Sequence, residues 1–163
     1  MKNTKNILSS EIIENSGTYP YLCASSDNNA VSAYIDYNKE FLEEGNCIFI
    51  GGKTFVVSYQ ERDFFSNDSH NLALYLKGDR KSKAIYLSMA VCIYKSLFYK
   101  YSWGDSISKT KIQNDKIILP VTAIGAIDFD FMEAFIAELE AERIAELSAS
   151  LIVSELVNYE LSA

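Results

Sequence analysis

The sequence predicts an α+β fold, in which a β-rich body of mixed or antiparallel strands with one packed helix is followed by a long C-terminal helix. Three observations carry that expectation. Short aromatic and β-branched runs, punctuated by Gly or by Ser/Asp/Asn clusters, occupy the first half of the chain. The apolar period then changes to helical spacing between Ser82 and Tyr99. A long acidic stretch with apolar residues at helical spacing closes the chain, and strands followed by helices define the α+β class. Hydrophobic residues fill 48% of the 163 positions, enough to build a core that offsets chain entropy.

Taken in order, Tyr19 to Ala24 and Val31 to Tyr37 read as two strands, joined by the turn formers Ser25-Ser26-Asp27-Asn28-Asn29. Cys47 to Ile50 and Thr54 to Tyr59 read as two more, with Gly51-Gly52-Lys53 as a hairpin turn. Asn71 to Leu76 alternates weakly and reads as a further strand. Ile85, Met89, Cys92, Ile93 and Leu97 then recur at helical spacing. A polar, basic stretch follows Trp103-Gly104, and Lys116 to Leu119 reads as a strand stopped by Pro120. Asp128 stands where a cap is needed for a helix from Phe129 to about Val157, with Asp130 and Glu133 near its positive end. The expected organisation is a body of residues 1–127 and a terminal helix of residues 128–163.

The net charge of −7 argues against a nucleic-acid partner, but its distribution argues the other way. From Ile117 onward nine acids face Arg143 alone. Between Lys77 and Lys116, nine bases (Lys77, Arg80, Lys81, Lys83, Lys95, Lys100, Lys109, Lys111 and Lys116) face Asp79, Asp105 and Asp115, a balance of +6. A basic body with an acidic tail is more informative than the sum. Cys23, Cys47 and Cys92 are odd in number and far apart, and read as buried thiols of a reducing cytoplasmic compartment. No apolar run approaches the roughly 20 residues that span a bilayer, so no membrane role is expected.

Catalytic signals are lacking. Gly51-Gly52-Lys53-Thr54 looks like the end of a phosphate-binding loop, yet that motif needs glycine where Cys47 stands and a helix where Phe55-Val56-Val57 favour a strand. His70 is the single histidine and reads as a hydrogen-bonding residue at a strand start. Without a His pair or clustered cysteines, neither a metal site nor a Cys/His nucleophile is expected. No Gly-x-Ser-x-Gly turn presents a serine. The expectation is a non-catalytic chain with no cofactor.

Three stretches, in order, resemble the target-recognition domains of bacterial restriction–modification systems, namely the specificity (S) subunits of type I enzymes and the S-like subunits or domains of Bcg-like type II enzymes. The first is Gly17-Thr18-Tyr19-Pro20-Tyr21-Leu22-Cys23-Ala24-Ser25 followed by Asn28-Asn29-Ala30-Val31. The second is Gly45-Asn46-Cys47-Ile48-Phe49-Ile50-Gly51-Gly52, similar to the family's central hairpin. The third is Gly104-Asp105-Ser106-Ile107-Ser108-Lys109-Thr110-Lys111-Ile112 with Lys116-Ile117-Ile118-Leu119-Pro120-Val121, leading into Asp128 to Ile136. The resemblance covers roughly Gly17 to Glu142, and Met1 to Ser16 departs from the family's opening. A full type I subunit has two recognition domains and this chain has length for one, so it resembles a half-subunit, a fragment or an S-like protein that pairs with itself.

The resemblance implies sequence-specific recognition of double-stranded DNA, with a separate methyltransferase subunit and nuclease doing the chemistry. It maps DNA-facing loops onto Ser25, Ser26, Asn28 and Asn29 and onto Ser106, Lys109 and Lys111, and Lys53 at the hairpin tip is a similar candidate. Asn can pair doubly with adenine and Ser reads either base edge, while Lys holds phosphates and sets register. Asn28 and Asn29 also read as plain turn formers, and Tyr101 and Trp103 as core or groove wall. Along the terminal helix, Met132, Phe135, Ile136 and Leu139, then Ile144, Leu147 and Leu151, form an apolar stripe interrupted near Arg143. That stripe predicts a partner helix, and the resemblance implies a homodimer through it or docking of the methyltransferase. The rival expectation, favoured by the acidic balance, is an interaction module or regulator that keeps the fold without binding DNA.

Overall fold

The computed structural model describes residues 1–78, 81–101 and 105–161, with side chains described through Val153. The chain divides into two compact units, Met1–Leu119 and Pro120–Ala163. Arg80, Trp103 and Gly104, singled out above, lie outside the described residues.

The first unit is built from short strands in two sheets: β1 (Lys2–Asn3), β2 (Tyr19–Leu22), β3 (Val31–Ile35), β4 (Cys47–Ile50), β5 (Val57–Gln60), β6 (Phe65–Ser66) and β7 (Leu72–Leu74). One sheet has the order β1-β7-β4-β5 and is antiparallel throughout. The other has the order β3-β2-β6, antiparallel between β2 and β3 and parallel between β2 and β6. Alternation along β2 sends neighbouring side chains to different cores. Tyr21 packs with Ile7, Ala33, Ile35 and Phe65, whereas Leu22 packs with Ala30, Cys47, Phe49, Phe64 and Ala73. Every residue of β4 is buried, so both its faces are covered. Helix α1 (Lys83–Leu97), capped by Ser82 accepting from the Ile85 N–H, packs on β5 and β4. Its inner face is Ile85, Tyr86, Met89, Ile93 and Leu97, and Tyr86 stacks on Tyr59 with centroids 5.4 Å apart.

Two strands and one short helix, α2 (Lys109–Ile112), escaped the sequence reading. β1 and β6 are two residues each, too short for a period to show. The strand expected from Lys116 to Leu119 is absent. The Ile118 N–H donates to the Ser96 hydroxyl of α1 at 3.0 Å, and the Ile118 side chain is 83% exposed, so this run is a tether with no ladder partner. The strand expected from Thr54 begins only at Val57, because residues 51–56 form a wide loop with Phe55 at φ 52°.

Asn71, buried between the sheets, ties these short pieces together. Its Oδ1 accepts from the Gly52 N–H at 3.0 Å, and its Nδ2 donates to Ser66 Oγ and Asn67 Oδ1, both at 3.1 Å. Its carbonyl accepts from the Thr4 N–H, and Thr4 Oγ1 reaches Ser66 Oγ at 2.8 Å. The N-terminal segment is held a second time by Glu43, whose buried carboxylate meets Lys2 Nζ at 2.7 Å and the Lys5 N–H at 2.8 Å.

In the second unit, Val121 bridges Ile127 around a turn closed by Gly125 (φ 79°). Asp128 Oδ1 accepts from the Phe131 N–H at 2.9 Å and so caps α3 (Phe129–Leu161). Asn71→Ala is expected to destabilise the fold by about 1–3 kcal/mol, since it strands the buried Gly52 N–H. Urea unfolding followed by tryptophan and far-UV signals would measure it.

Candidate nucleic-acid interface

The polar loop between β2 and β3 holds an unusual backbone. Asn28, Asn29 and Ala30 follow one another at φ 46°, 53° and 68°, a left-handed path that asparagine tolerates better than other residues with a Cβ. Both asparagine amides serve that path. Asn28 Nδ2 donates to the Val31 carbonyl at 3.1 Å, and Asn29 Nδ2 donates to the Tyr59 carbonyl at 3.0 Å, while Gln60 Nε2 returns a bond to the Asn29 carbonyl at 2.9 Å. The loop is therefore clamped to β5. Ser25 Oγ accepts from the Asp27 N–H, and Ser26 is exposed.

The hairpin loop of residues 51–56 joins this loop to the others. Thr54 Oγ1 donates to the Ala24 carbonyl at 2.7 Å, and a Cβ on Gly51 would stand 2.7 Å from Ala24 Cβ. On its other side, a Cβ on Gly52 would stand 2.4 Å from the His70 carbonyl oxygen, and the Gly52 carbonyl accepts from the Ile107 N–H at 3.1 Å. Both glycines are thus required by close approach of neighbouring backbone. Lys53, at the tip, pairs with Asp68 Oδ2 at 2.7 Å. Ser25, Ser26, Lys53, Ser106 and the start of α2 are gathered around one hairpin, although they are spread over more than half of the body's sequence.

A cleft of about 820 Å³ opens beside the hairpin. Ser25, Ser26, Asn29 and Thr54 line one side, and Val91, Tyr94 and Lys95 of α1 line another. Its floor includes Val56 and the buried Phe55, whose ring stacks on Tyr94 and packs against Tyr101. Tyr101 is therefore a core residue. Thr54, Tyr94 and Lys95 belong to this surface but were missed as site residues, and only Lys95, as part of the basic segment, carried a signal in the sequence.

Ser108 caps α2 by accepting from the Lys111 N–H at 3.2 Å. Lys111 Nζ pairs with Asp105 and donates to the Ser106 carbonyl at 2.9 Å, while the Lys109 side chain is exposed. Lys100 pairs with the buried Asp115 carboxylate, which also receives the Tyr101 hydroxyl. Two of the three acids in the basic segment are thus consumed by its own lysines. Burial opposes ionisation of Asp68, but the Lys53 ammonium and two donors from His70 outweigh it and hold its carboxyl at about 2. Burial pushes the Cys47 thiol up to about 12 and raises Cys23 and Cys92, which suits structural rather than reactive thiols. Among the described residues, no group of three His, Cys, Asp or Glu side chains is placed to hold a metal, and no helix is long and apolar enough to cross a membrane.

On α3, Met132 and Ile136 are buried, while Phe135, Leu139, Ile144, Leu147 and Leu151 are exposed. At about 100° per residue, Phe135 and Leu139 share one face, and Ile144, Leu147 and Leu151 lie about 130° further round. The apolar positions form two offset patches instead of one continuous stripe.

A β-rich body that gathers polar loops around a glycine hairpin is followed in the chain by a capped helical unit. Residues 1–149 match the family model of the type I restriction modification DNA specificity domain, and the chain belongs to that family. The match includes the N-terminal residues that depart from the motif pattern, and β1 accounts for part of their place in the fold. The chain is also similar to the type II restriction enzyme BgcI specificity subunit S.BcgI of Heyndrickxia coagulans, at 28% identity over 128 residues. That alignment covers 76% of this chain and 36% of the relative, so the chain spans about a third of the relative's length. No solved structure matches.

A carboxyl held low in the folded state adds stability above its unfolded value and loses it as pH falls through the folded one. The Asp68 contribution is therefore expected to be intact above about pH 4 and lost on going towards about pH 2. Acid titration of Asp68→Asn should lack that component; an identical acid-unfolding curve would show that the Lys53 and His70 contacts do not form in solution.

Proposed function

We propose that this chain reads a target sequence in double-stranded DNA as the specificity component of a restriction–modification system, while separate subunits methylate and cleave. The observation that carries the reading is the meeting of three loops at Gly51-Gly52, through Thr54 on Ala24 and Ile107 on Gly52, in a chain of the DNA specificity family. Ser26 and Ser106 are the base-edge candidates, because their side chains stand on a fixed backbone, and Ser25, whose hydroxyl is already bonded to Asp27, is the weaker third. Lys53, Lys109 and Lys111 are the phosphate contacts that set register. Asn28 and Asn29 act chiefly by shaping the loop, since their amides are engaged within the body. The chain itself carries no catalytic residue in this reading.

α3 supplies assembly. Its exposed patches suit a second copy and a methyltransferase subunit, and pairing two modules would raise DNA affinity through effective concentration. The net charge of −7 favours the alternative of an interaction module or regulator that has lost DNA affinity.

Titration with a labelled pool of random duplexes at low and moderate salt separates the two. Binding that weakens steeply with salt supports the reading; no binding at low salt supports the alternative. Lys109→Glu with Lys111→Glu should weaken binding at least about tenfold for all sequences and lower the salt slope by about two. Ser25→Ala with Ser26→Ala should change which duplexes are selected while leaving the slope in place. Leu139→Asp with Leu147→Asp should convert dimer to monomer in light scattering, and an unchanged mass would remove α3 as the pairing surface.

A further inference from the structure

His70 has no part in the family-derived site, yet it stands beside Lys53 at the foot of the hairpin loop. Asp68 organises both. Its Oδ1 accepts from the His70 N–H and from the His70 ring Nδ1, each at 2.8 Å, and its Oδ2 accepts from Lys53 Nζ at 2.7 Å. The carboxylate is only 18% exposed, whereas the His70 side chain is 65% exposed and Lys53 is 51% exposed. A buried anchor thus holds two exposed nitrogen groups on one patch, with Gly52 packed against the His70 backbone.

The hydrogen bond to Asp68 decides what His70 can do. An ionised carboxylate only accepts, so the ring nitrogen facing it must carry the proton. In the neutral ring the other nitrogen, Nε2, is then a bare acceptor and cannot bond a phosphate oxygen. Protonation at Nε2 changes this in one step. It creates an outward N–H donor, and it takes the Lys53–Asp68–His70 group from net neutral to a charge of +1.

We propose that His70 and Lys53, oriented by Asp68, form a phosphate-contact site that takes up one proton at His70 Nε2 when duplex DNA binds. This rests on the DNA-reading function above. The charged groups on the surrounding elements are few. Asp68 lies on the histidine's own segment, Lys53 on the hairpin loop, and the Asp105–Lys111 pair on the segment joined to Gly52 through Ile107. The adjoining N-terminal segment carries the Met1 α-ammonium and offers uncharged Asn3, whose Nδ2 donates to the Ser69 carbonyl, while Lys2 and Lys5 are turned to Glu43 and the Glu40 carbonyl. Asp68 is a positioning residue here, acting through the ring and the ammonium that it holds.

His70 is the only histidine in the chain, and its replacement separates its response from that of the Met1 α-amino group. Fluorescence anisotropy of the whole chain with a labelled random-sequence duplex, across a salt series at about pH 6 and about pH 8, tests the proposal. The expected result is binding at least about fivefold tighter at the lower pH, with a salt slope steeper by about 0.9. His70→Gln, which removes the ring and keeps the backbone N–H donor to Asp68, should bind with the same affinity and slope at both pH values. Lys53→Gln should lower the slope at both. Wild-type binding that does not respond to pH, or a response that survives in His70→Gln, overturns the proposal and leaves the DNA reading standing. Failure of the wild-type chain to bind duplex at either pH overturns both.

Discussion

Asn71 occupies the place where a hairpin loop, two sheets and the N-terminal segment must be held together although none shares a strand with all the others. One side-chain amide offers an acceptor to Gly52 and two donor hydrogens to Ser66 and Asn67, and the same residue's carbonyl fixes Thr4. The strands it joins run only two to four residues, so their own ladders contribute little cooperativity. A fully satisfied buried polar network compensates, because any displacement leaves a desolvated group without a partner. The position of the hairpin, and therefore of every loop stitched to it, descends from this network.

Electrostatics divide the molecule in a comparable way. The basic segment contains its own neutralising partners, so Lys100 and Lys111 are engaged while Lys95 lines the cleft and Lys109 faces solvent. What remains for an anionic ligand is smaller than the sequence balance of +6 and more localised. The acids of α3 lie in a separate unit. Segregation of this kind lets one chain carry surfaces of opposite sign for different partners.

Much of this architecture is legible in the residues. Short aromatic and β-branched runs bounded by turn formers placed β2, β3, β4 and β5, the helical spacing from Ile85 to Leu97 placed α1, and Asp128 marked the start of α3. The α+β class and the specificity family followed from those elements and the ordered motifs. Other features depend on contacts between distant residues and leave no local trace. The apolar run at Ile118 looks like a strand until the Ser96 hydroxyl takes its N–H. Asn28 and Asn29 have the chemistry of base readers, yet their amides are turned onto Val31 and Tyr59, which only the folded geometry reveals. Glu43 and Asp68 were invisible for the same reason, since a carboxylate's burial is set by what packs over it. The apolar positions of α3 were found individually, but their rotation around the axis beyond Arg143 split them into two patches.

The loops gathered at the hairpin are tied down by backbone atoms, by glycine contacts and by the inward-turned side chains of Asn28, Asn29, Thr54 and Asn71. Ala24 is held through its carbonyl, Ile107 through its N–H, and Gly51 and Gly52 by the absence of a side chain. Ser26 and Lys109 project from these anchored stretches without being part of the anchoring. Side-chain identity at such positions is therefore decoupled from loop placement. On the proposed DNA-reading function, the body is a socket into which different exposed side chains can be set without refolding, so a new target preference is reachable while the hairpin, its two glycines and Asn71 stay as they are.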